Sequence, residues 1–230
     1  MKITWLGHAG FRIETGEAVL LIDPWLTGNP MFPEDRRGEA IAGATHVLIS
    51  HGHGDHTGDA VGIAQETGAK VVGIADLMGH WAAAHGIETV GFNKGGTVAC
   101  GDARVTMVNA VHSSALSGPD GPIYAGAESG FMIAAGGHVI YFTGDTDVMA
   151  DMALFQELHK PDIGLIACGG HYTMDMARAT FAAKKFFDFD LVIPCHYRTF
   201  PLLEQSAAAM AAGLPGVKVQ EPEVLVPIEV

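Results

Sequence analysis

The chain has 230 residues, 48% of them apolar, and is long enough to bury a full hydrophobic core. Its formal charge of −13, with the histidines neutral, argues against a surface built to grip nucleic acid, which needs clustered Lys and Arg. Three widely spaced cysteines, Cys100, Cys168 and Cys195, offer no disulfide framework and fit a reducing cytosol. The opening Met1-Lys2-Ile3-Thr4-Trp5 is strand-like, not a signal peptide, and no run of about 18 apolar residues occurs, so a soluble cytoplasmic protein without a membrane partner is expected.

Ile3 to Glu14 and Ala18 to Asp23 read as two antiparallel strands around Thr15-Gly16-Glu17. Pro24 ends the second strand by removing a ladder donor. Residues 24–43 are irregular, and a loop this long is usually functional or disordered. A rim over a site and a contact in a homo-oligomer are both open for it. Ala44 to Ile49 is β-branched and apolar, as in a buried strand. It runs into Ser50-His51-Gly52-His53-Gly54-Asp55-His56-Thr57, where four metal-binding side chains crowd the C-terminal end of a strand. Gly52 and Gly54 are expected to take dihedrals closed to other residues, turning neighbouring imidazoles toward a common point. Gly/His-rich surface loops without metal do exist, but donors at this density favour a metal site.

Further along, Gly58 to Thr67 reads as a helix, Lys70 to Ile74 as a strand, and Asp76 to His85 as a helix with Asp76 as N-cap. Thr97 to Val111 supplies one or two strands leading to His112-Ser113-Ser114, and a second loop covers 115–127. Gly130 to Ala135 and His138 to Phe142 form a hairpin around Gly136-Gly137 that runs into Thr143-Gly144-Asp145-Thr146. Helices are expected at Asp147 to His159, Asp175 to Phe187 and Leu202 to Ala212. Strands are expected at Asp162 to Cys168 and Leu191 to Cys195, with short closing strands at Val217 to Val219 and Val224 to Val230. Each half of the chain thus starts with antiparallel strands and ends in alternating strand and helix.

The remaining donors again fall at strand ends: His112, Asp145 and His196. Seven donors at four strand ends are what a two-metal site requires. The series His51-x-His53-x-Asp55-His56, then His112, Asp145 and His196, resembles the metallo-β-lactamase superfamily of hydrolases over the whole chain. Leu21-Ile22-Asp23-Pro24, Gly28-Asn29-Pro30, Tyr141-Phe142-Thr143-Gly144-Asp145-Thr146, Thr173-Met174 and His196-Tyr197-x-Thr199 are similar to metal-dependent hydrolases related to ascorbate-6-phosphate lactonases.

The resemblance implies an α/β fold, a four-layer αββα sandwich forming one domain over residues 1–230, with the site along one edge of the β layers. It implies that His51, His53 and His112 bind a first ion, that Asp55, His56 and His196 bind a second, and that Asp145 bridges both. Asp23 would orient a ligand imidazole. Asp rather than Cys at 145 favours a bridged pair, and His rather than Glu at 53 favours hydrolysis over redox work. Two divalent ions, two carboxylates and a bridging hydroxide leave a local charge of about +1, which suits a small-molecule substrate that is neutral or anionic. All-N/O ligation suits Zn²⁺, and also Mn²⁺, Fe²⁺ or Ni²⁺.

The expected chemistry is attack of the bridging hydroxide on a carbonyl or phosphoryl centre, with Asp55 orienting the nucleophile and His171 a candidate proton donor. A lactone or other ester comes first, a phosphodiester second, and a non-catalytic metal-dependent metabolite-binding protein is the rival from another class. For His8 and His171 a site-wall or proton-transfer role and a satisfied core histidine stand level. His46, His80, His85, His138 and His159 read as structural or solvent-facing. Cys195, one residue before His196 in a strand, reads as a buried thiol because successive side chains point to opposite faces. Tyr197, Arg198 and Thr199 are open as a hold for an anionic group, with Arg198 equally at home on a solvated rim.

Overall fold

The computed structural model describes residues 1–230. The first strand read from the sequence is in fact two, β1 (Lys2–Gly7) and β2 (Gly10–Thr15), followed by β3 (Ala18–Ile22). The chain reverses at His8-Ala9, where Gly7 and His8 both have positive φ, 88° and 51°, so Trp5 pairs with Phe11 and Gly7 with Gly10. The signal for this turn is the pair Gly7 and Gly10 flanking His8-Ala9, which the reading of one continuous strand passed over. Residues 24–43 hold a 3₁₀ turn at Glu34–Arg36 and the short helix α1 (Arg37–Ile41). Then come β4 (His46–Ile49), the single-turn α2 (Gly54–Thr57), α3 (Ala60–Thr67), β5 (Lys70–Ile74), α4 (Ala75–His85) and β6 (Thr89–Phe92). Asp76 is not the cap of α4: it lies inside the first turn, and no side chain caps that end.

The second half begins with β7 (Thr97–Cys100) and β8 (Ala103–Asn109). The stretch read as a second loop contains an exposed hairpin, β9 (Ala115–Gly118) and β10 (Gly121–Tyr124). β11 (Ser129–Ala135), β12 (His138–Phe142), α5 (Asp151–His159), β13 (Ile163–Ala167), α6 (Met176–Phe186) and β14 (Leu191–Cys195) follow, with α7 (Ala208–Gly213), β15 (Lys218–Val219) and β16 (Pro227–Glu229) closing the chain. Helix α6 starts where its chemistry dictates, with the Asp175 carboxylate accepting the Arg178 backbone N–H at 2.7 Å. Helix α5 starts later than its pattern implied, because the Asp147 carboxylate accepts the neighbouring Val148 N–H and pairs with Arg178.

Two seven-stranded sheets result, ordered β16-β1-β2-β3-β4-β5-β6 and β15-β14-β13-β12-β11-β8-β7. In each, an antiparallel block gives way to a parallel one: β3, β4, β5 and β6 in the first, β12, β13, β14 and β15 in the second. The sheets face each other across one apolar core, with Phe11 of β2 edge-on to Phe142 of β12 and Phe92 of β6 stacked on Phe131 of β11. Strands β13 and β14 are buried along their whole length, as expected of parallel strands covered on both faces. Each Ile or Leu so buried contributes about 1.5–3 kcal/mol. Helices cover the outer faces, α3 and α4 on the first sheet and α6 and α7 on the second, giving the αββα sandwich. Because the parallel strands share a direction, the ends that follow β3, β4, β12 and β14 gather along one edge.

Candidate metal centre

All seven sequence-predicted donors meet at that edge, in two adjoining groups: His51, His53 and His112, and Asp55, His56 and His196. Asp145 lies between them, its Oδ2 3.1 Å from His196 Nε2, 3.3 Å from His56 Nε2 and 3.6 Å from His112 Nε2. His51, His56, Asp145 and His196 are buried, whereas His53, Asp55 and His112 open toward a cleft of about 450 Å³.

Asp23, at the end of β3, organises the buried side. Its carboxylate accepts the Ser50 backbone N–H, the Ser50 hydroxyl and His56 Nδ1–H. With its proton committed to Asp23, Ser50 Oγ can only accept from His51 Nδ1–H, 3.0 Å away. These bonds fix the tautomers, so His51 and His56 both turn bare Nε2 lone pairs into the cluster. His51 Nε2 stands 3.0 Å from His53 Nδ1. His56 Nε2, Asp145 Oδ1 and both ring nitrogens of His196 are buried without any hydrogen-bond partner. Buried polar atoms are rarely left so. Lone pairs aimed at lone pairs, with a carboxylate between, fit divalent cations.

The titration behaviour says the same. Burial and the neighbouring His56 push His51 well down. Burial opposes charge on Asp145 too, yet His196 and His56 hold it well below the usual carboxylate range. Against burial, Asp145 and Asp23 push His56 well up. The cluster therefore calls for positive charge beside Asp145, and metal binding displaces protons from such positions.

Local backbone is shaped to this end. Of the six non-glycine residues with positive φ, His8, Asp23, His196 and Arg198 are at or beside the cluster, and such strain gathers at functional sites. Gly52 corrects the sequence expectation. Its φ is not positive, and what it supplies is space, since a Cβ there would lie 2.4 Å from Ala125 Cβ. Gly54 departs from the expectation too: its φ is not positive, and it begins α2 with open space around it.

Sequence reasoning left His8 undecided; the structure puts it in the cluster. It is buried, and its Nε2 lies 3.0 Å from Asp55 Oδ2. Burial, then His196, lowers its pKa to about 4. His171 is not brought in. It is exposed, packs edge-on against Tyr172 and borders a separate depression with Leu202 to Gln205. Gly170, at φ 93°, turns the chain so that Tyr172 lines the cleft in its place. Tyr197 and Arg198 also face elsewhere. The Tyr197 hydroxyl donates to Glu221, and the Arg198 guanidinium lies 3.8 Å from Glu221 and over the Trp5 and Tyr197 rings. His46, His80, His85, His138 and His159 lie outside the cluster, and all three cysteines are buried free thiols.

The sequence reading missed the cleft walls, Ser113, Tyr172 and Phe200, and the anchor Glu128, which accepts the His112 backbone N–H. It missed Asp59 as well, whose carboxylate takes the backbone N–H groups of Leu26 and Thr27 and so fixes the start of the 24–43 segment. That segment borders the site, with Trp25 edge-on to His8 at 5.3 Å. No single-residue pattern marks Glu128 and Asp59, because each acts through a partner far along the chain.

The sequence profile of the beta-lactamase superfamily domain matches residues 2–196. A UPF0173 metal-dependent hydrolase of Cereibacter sphaeroides strain KD131 is 68% identical over 230 residues, all of both chains. A metal-dependent hydrolase of Paracoccus denitrificans is 66% identical over 228 residues, 99% of each. Among solved structures, the metallo hydrolase Igni18 of the hyperthermophilic archaeon Ignicoccus hospitalis superposes with a TM-score of 0.83 at 33% identity, covering 100% of this chain and 98% of that one. The metallo-beta-lactamase fold protein YhfI of Bacillus subtilis matches in fold, with a TM-score of 0.75 at 15% identity over 99% of each chain.

Proposed function

Because this chain belongs to the metallo-β-lactamase superfamily of metal-dependent hydrolases, we propose that residues 1–230 act as one hydrolase domain that opens a lactone or other ester of a small metabolite at a pair of divalent metal ions. In this reading His51, His53 and His112 hold the first ion, Asp55, His56 and His196 the second, and Asp145 both. The single observation carrying it is the set of buried, partnerless His56, His196 and Asp145 atoms aimed at one volume beside the cleft. When bound, such ions supply Lewis acidity and a water acidic enough to serve as nucleophile near neutral pH; Zn²⁺, Mn²⁺, Fe²⁺ and Ni²⁺ all suit these donors.

The protein's own groups then have distinct tasks. Asp23 and Ser50 hold His56 and His51 in the tautomers that present Nε2. Asp55, the carboxylate open to the cleft, orients the nucleophile. Tyr172 and Phe200 form an aromatic wall against which an apolar part of the substrate packs. No Lys or Arg lines the cleft, so a phosphate remote from the scissile bond would find no cationic side chain there. This favours an uncharged ester or lactone over a phosphodiester. No helix is long and apolar enough to cross a membrane.

The test is elemental analysis of the purified protein, followed by turnover of lactones, carboxylic esters, thioesters and phosphodiesters with each metal restored. Metal-dependent hydrolysis of a neutral ester or lactone is the expected result. Full activity after chelation would refute the reading, and retention of a metabolite in stoichiometric amount without product would revive a binding protein.

A further inference from the structure

His8 belongs to neither set of donors assigned above, yet its carbonyl and both of its ring nitrogens are engaged. Its backbone sits in the left-handed region at φ 51°, where a non-glycine residue is uncommon. Its carbonyl accepts both the Trp5 indole N–H and the His196 backbone N–H, each at 2.8 Å. The ring lies 3.9 Å from that of His196 and is bordered edge-on by Trp25 and Phe200. Its two nitrogens face different chemistry. Nδ1 is 2.8 Å from Thr199 Oγ1, and Nε2 is 3.0 Å from Asp55 Oδ2.

An ionised carboxylate only accepts hydrogen bonds, so the bond to Asp55 requires the proton on Nε2. In the neutral ring Nδ1 is then an acceptor, and the Thr199 hydroxyl donates to it. Thr199 in turn is fixed beside Met31 of the 24–43 segment and follows Arg198, whose φ is 65°. Asp55 therefore has its Oδ2 held from behind by an N–H that cannot rotate away. A nitrogen that carries this proton has no lone pair to give a metal.

We propose that Thr199 and His8 form a two-step hydrogen-bond chain that positions the Asp55 carboxylate, making His8 a positioning residue for the second metal ion and not one of its ligands. The proposal rests on the assignment of Asp55 to that ion. It explains why His8 stands within ligand reach of Asp55, His56 and His196 while being engaged at both ring nitrogens.

The experiment measures stepwise Zn²⁺ affinity of the full-length chain by competition with a chromophoric chelator, together with the visible spectrum of the Co²⁺-loaded protein. Far-UV circular dichroism checks the fold of every variant. His8→Ala should weaken the second ion by about tenfold to a hundredfold and leave the first unchanged, the range found when a ligand's hydrogen-bond partner is removed. His8→Gln, whose amide N–H reaches the same carboxylate, should recover affinity to within about threefold and keep the Co²⁺ bands in place. Thr199→Val should fall between, and Thr199→Ser should restore the Zn²⁺ affinity.

Unchanged affinity in His8→Ala overturns the proposal. So does a folded His8→Gln as weak as His8→Ala with shifted Co²⁺ bands, which would mark His8 as a ligand. Thr199→Val binding like wild type would overturn the role given to Thr199. Asp55→Ala separates the two levels: if it leaves both affinities intact, the assignment of Asp55 fails and this inference falls with it.

Discussion

His56 and His196 are wholly covered by protein, whereas His53 and Asp55, on the other wall of the same cluster, face the cleft. The covered wall is braced by Asp23 and Ser50 and contains the partnerless nitrogens. On the open wall Asp55 is braced only from behind, by His8 at 3.0 Å, and His53 has the looser 3.3 Å contact between its Nε2 and Ser113 Oγ. The two walls divide the labour. A buried donor cannot be satisfied by water, so its orientation must be built by its neighbours and its charge answered by an ion. An open donor can exchange partners with solvent, which is what substrate entry needs.

Asp145 lies between the two walls, its Oδ2 near His56, His196 and His112. Asp145→Ala should lower turnover by about a thousandfold or more while the fold is retained, read as kcat/KM together with bound metal per chain. Activity near wild type would mean that the walls do not share Asp145. The next test sets the walls against each other in chelated protein, by urea denaturation. His56→Ala strands the Asp23 and Asp145 carboxylates in the interior and should cost about 3–5 kcal/mol. His53→Ala, on the open wall, should stay within about 0.5 kcal/mol. Equal costs would erase the distinction.

Chelation sharpens it from the ligand side. An ion held at a hundred times its Kd stabilises by about 2.7 kcal/mol, so EDTA should lower Tm by about 5–10 °C, followed by calorimetry. A smaller change comes from Asp23→Asn, whose amide N–H would confront His56 Nδ1–H; metal affinity should drop about tenfold to a hundredfold. The smallest expected effect is none. Cys195, directly before His196, is buried and its thiol pKa is pushed well up by burial, and burial pushes Cys100 up to about 11. A raised thiol pKa keeps the reactive thiolate scarce, so iodoacetamide at pH 8 should label neither until the chain unfolds. Labelling of native protein, read by mass spectrometry, would show that water reaches behind the covered wall.

Much of this was legible before any fold was in hand. The paired blocks of antiparallel and then alternating elements were legible, because hydrophobic period and turn residues are local properties; that they make two facing sheets was implied by the family resemblance. The donors at 51–56, 112, 145 and 196 were legible because each follows an apolar strand; β4, β12 and β14 lie in the parallel blocks, and β8, two antiparallel steps from β12, runs in the same direction as β12. Helix starts were less so. Asp175 caps a helix and Asp76 does not, although both precede apolar runs, since capping depends on backbone angles that composition does not specify.

What the chain determined by itself is thus the inventory: strand-end imidazoles and carboxylates in an order that resembles a hydrolase family, on a core that can hold them. Partnership, by contrast, is settled by the folded chain alone. That His8 reaches Asp55, that Tyr172 and not His171 meets the cleft, and that Gly52 makes room for Ala125 are relations between residues far apart in sequence or on opposite sides of a turn. The physical reason is that hydrogen bonds and steric fit act over about 3–4 Å, and only the folded backbone sets which atoms come that close.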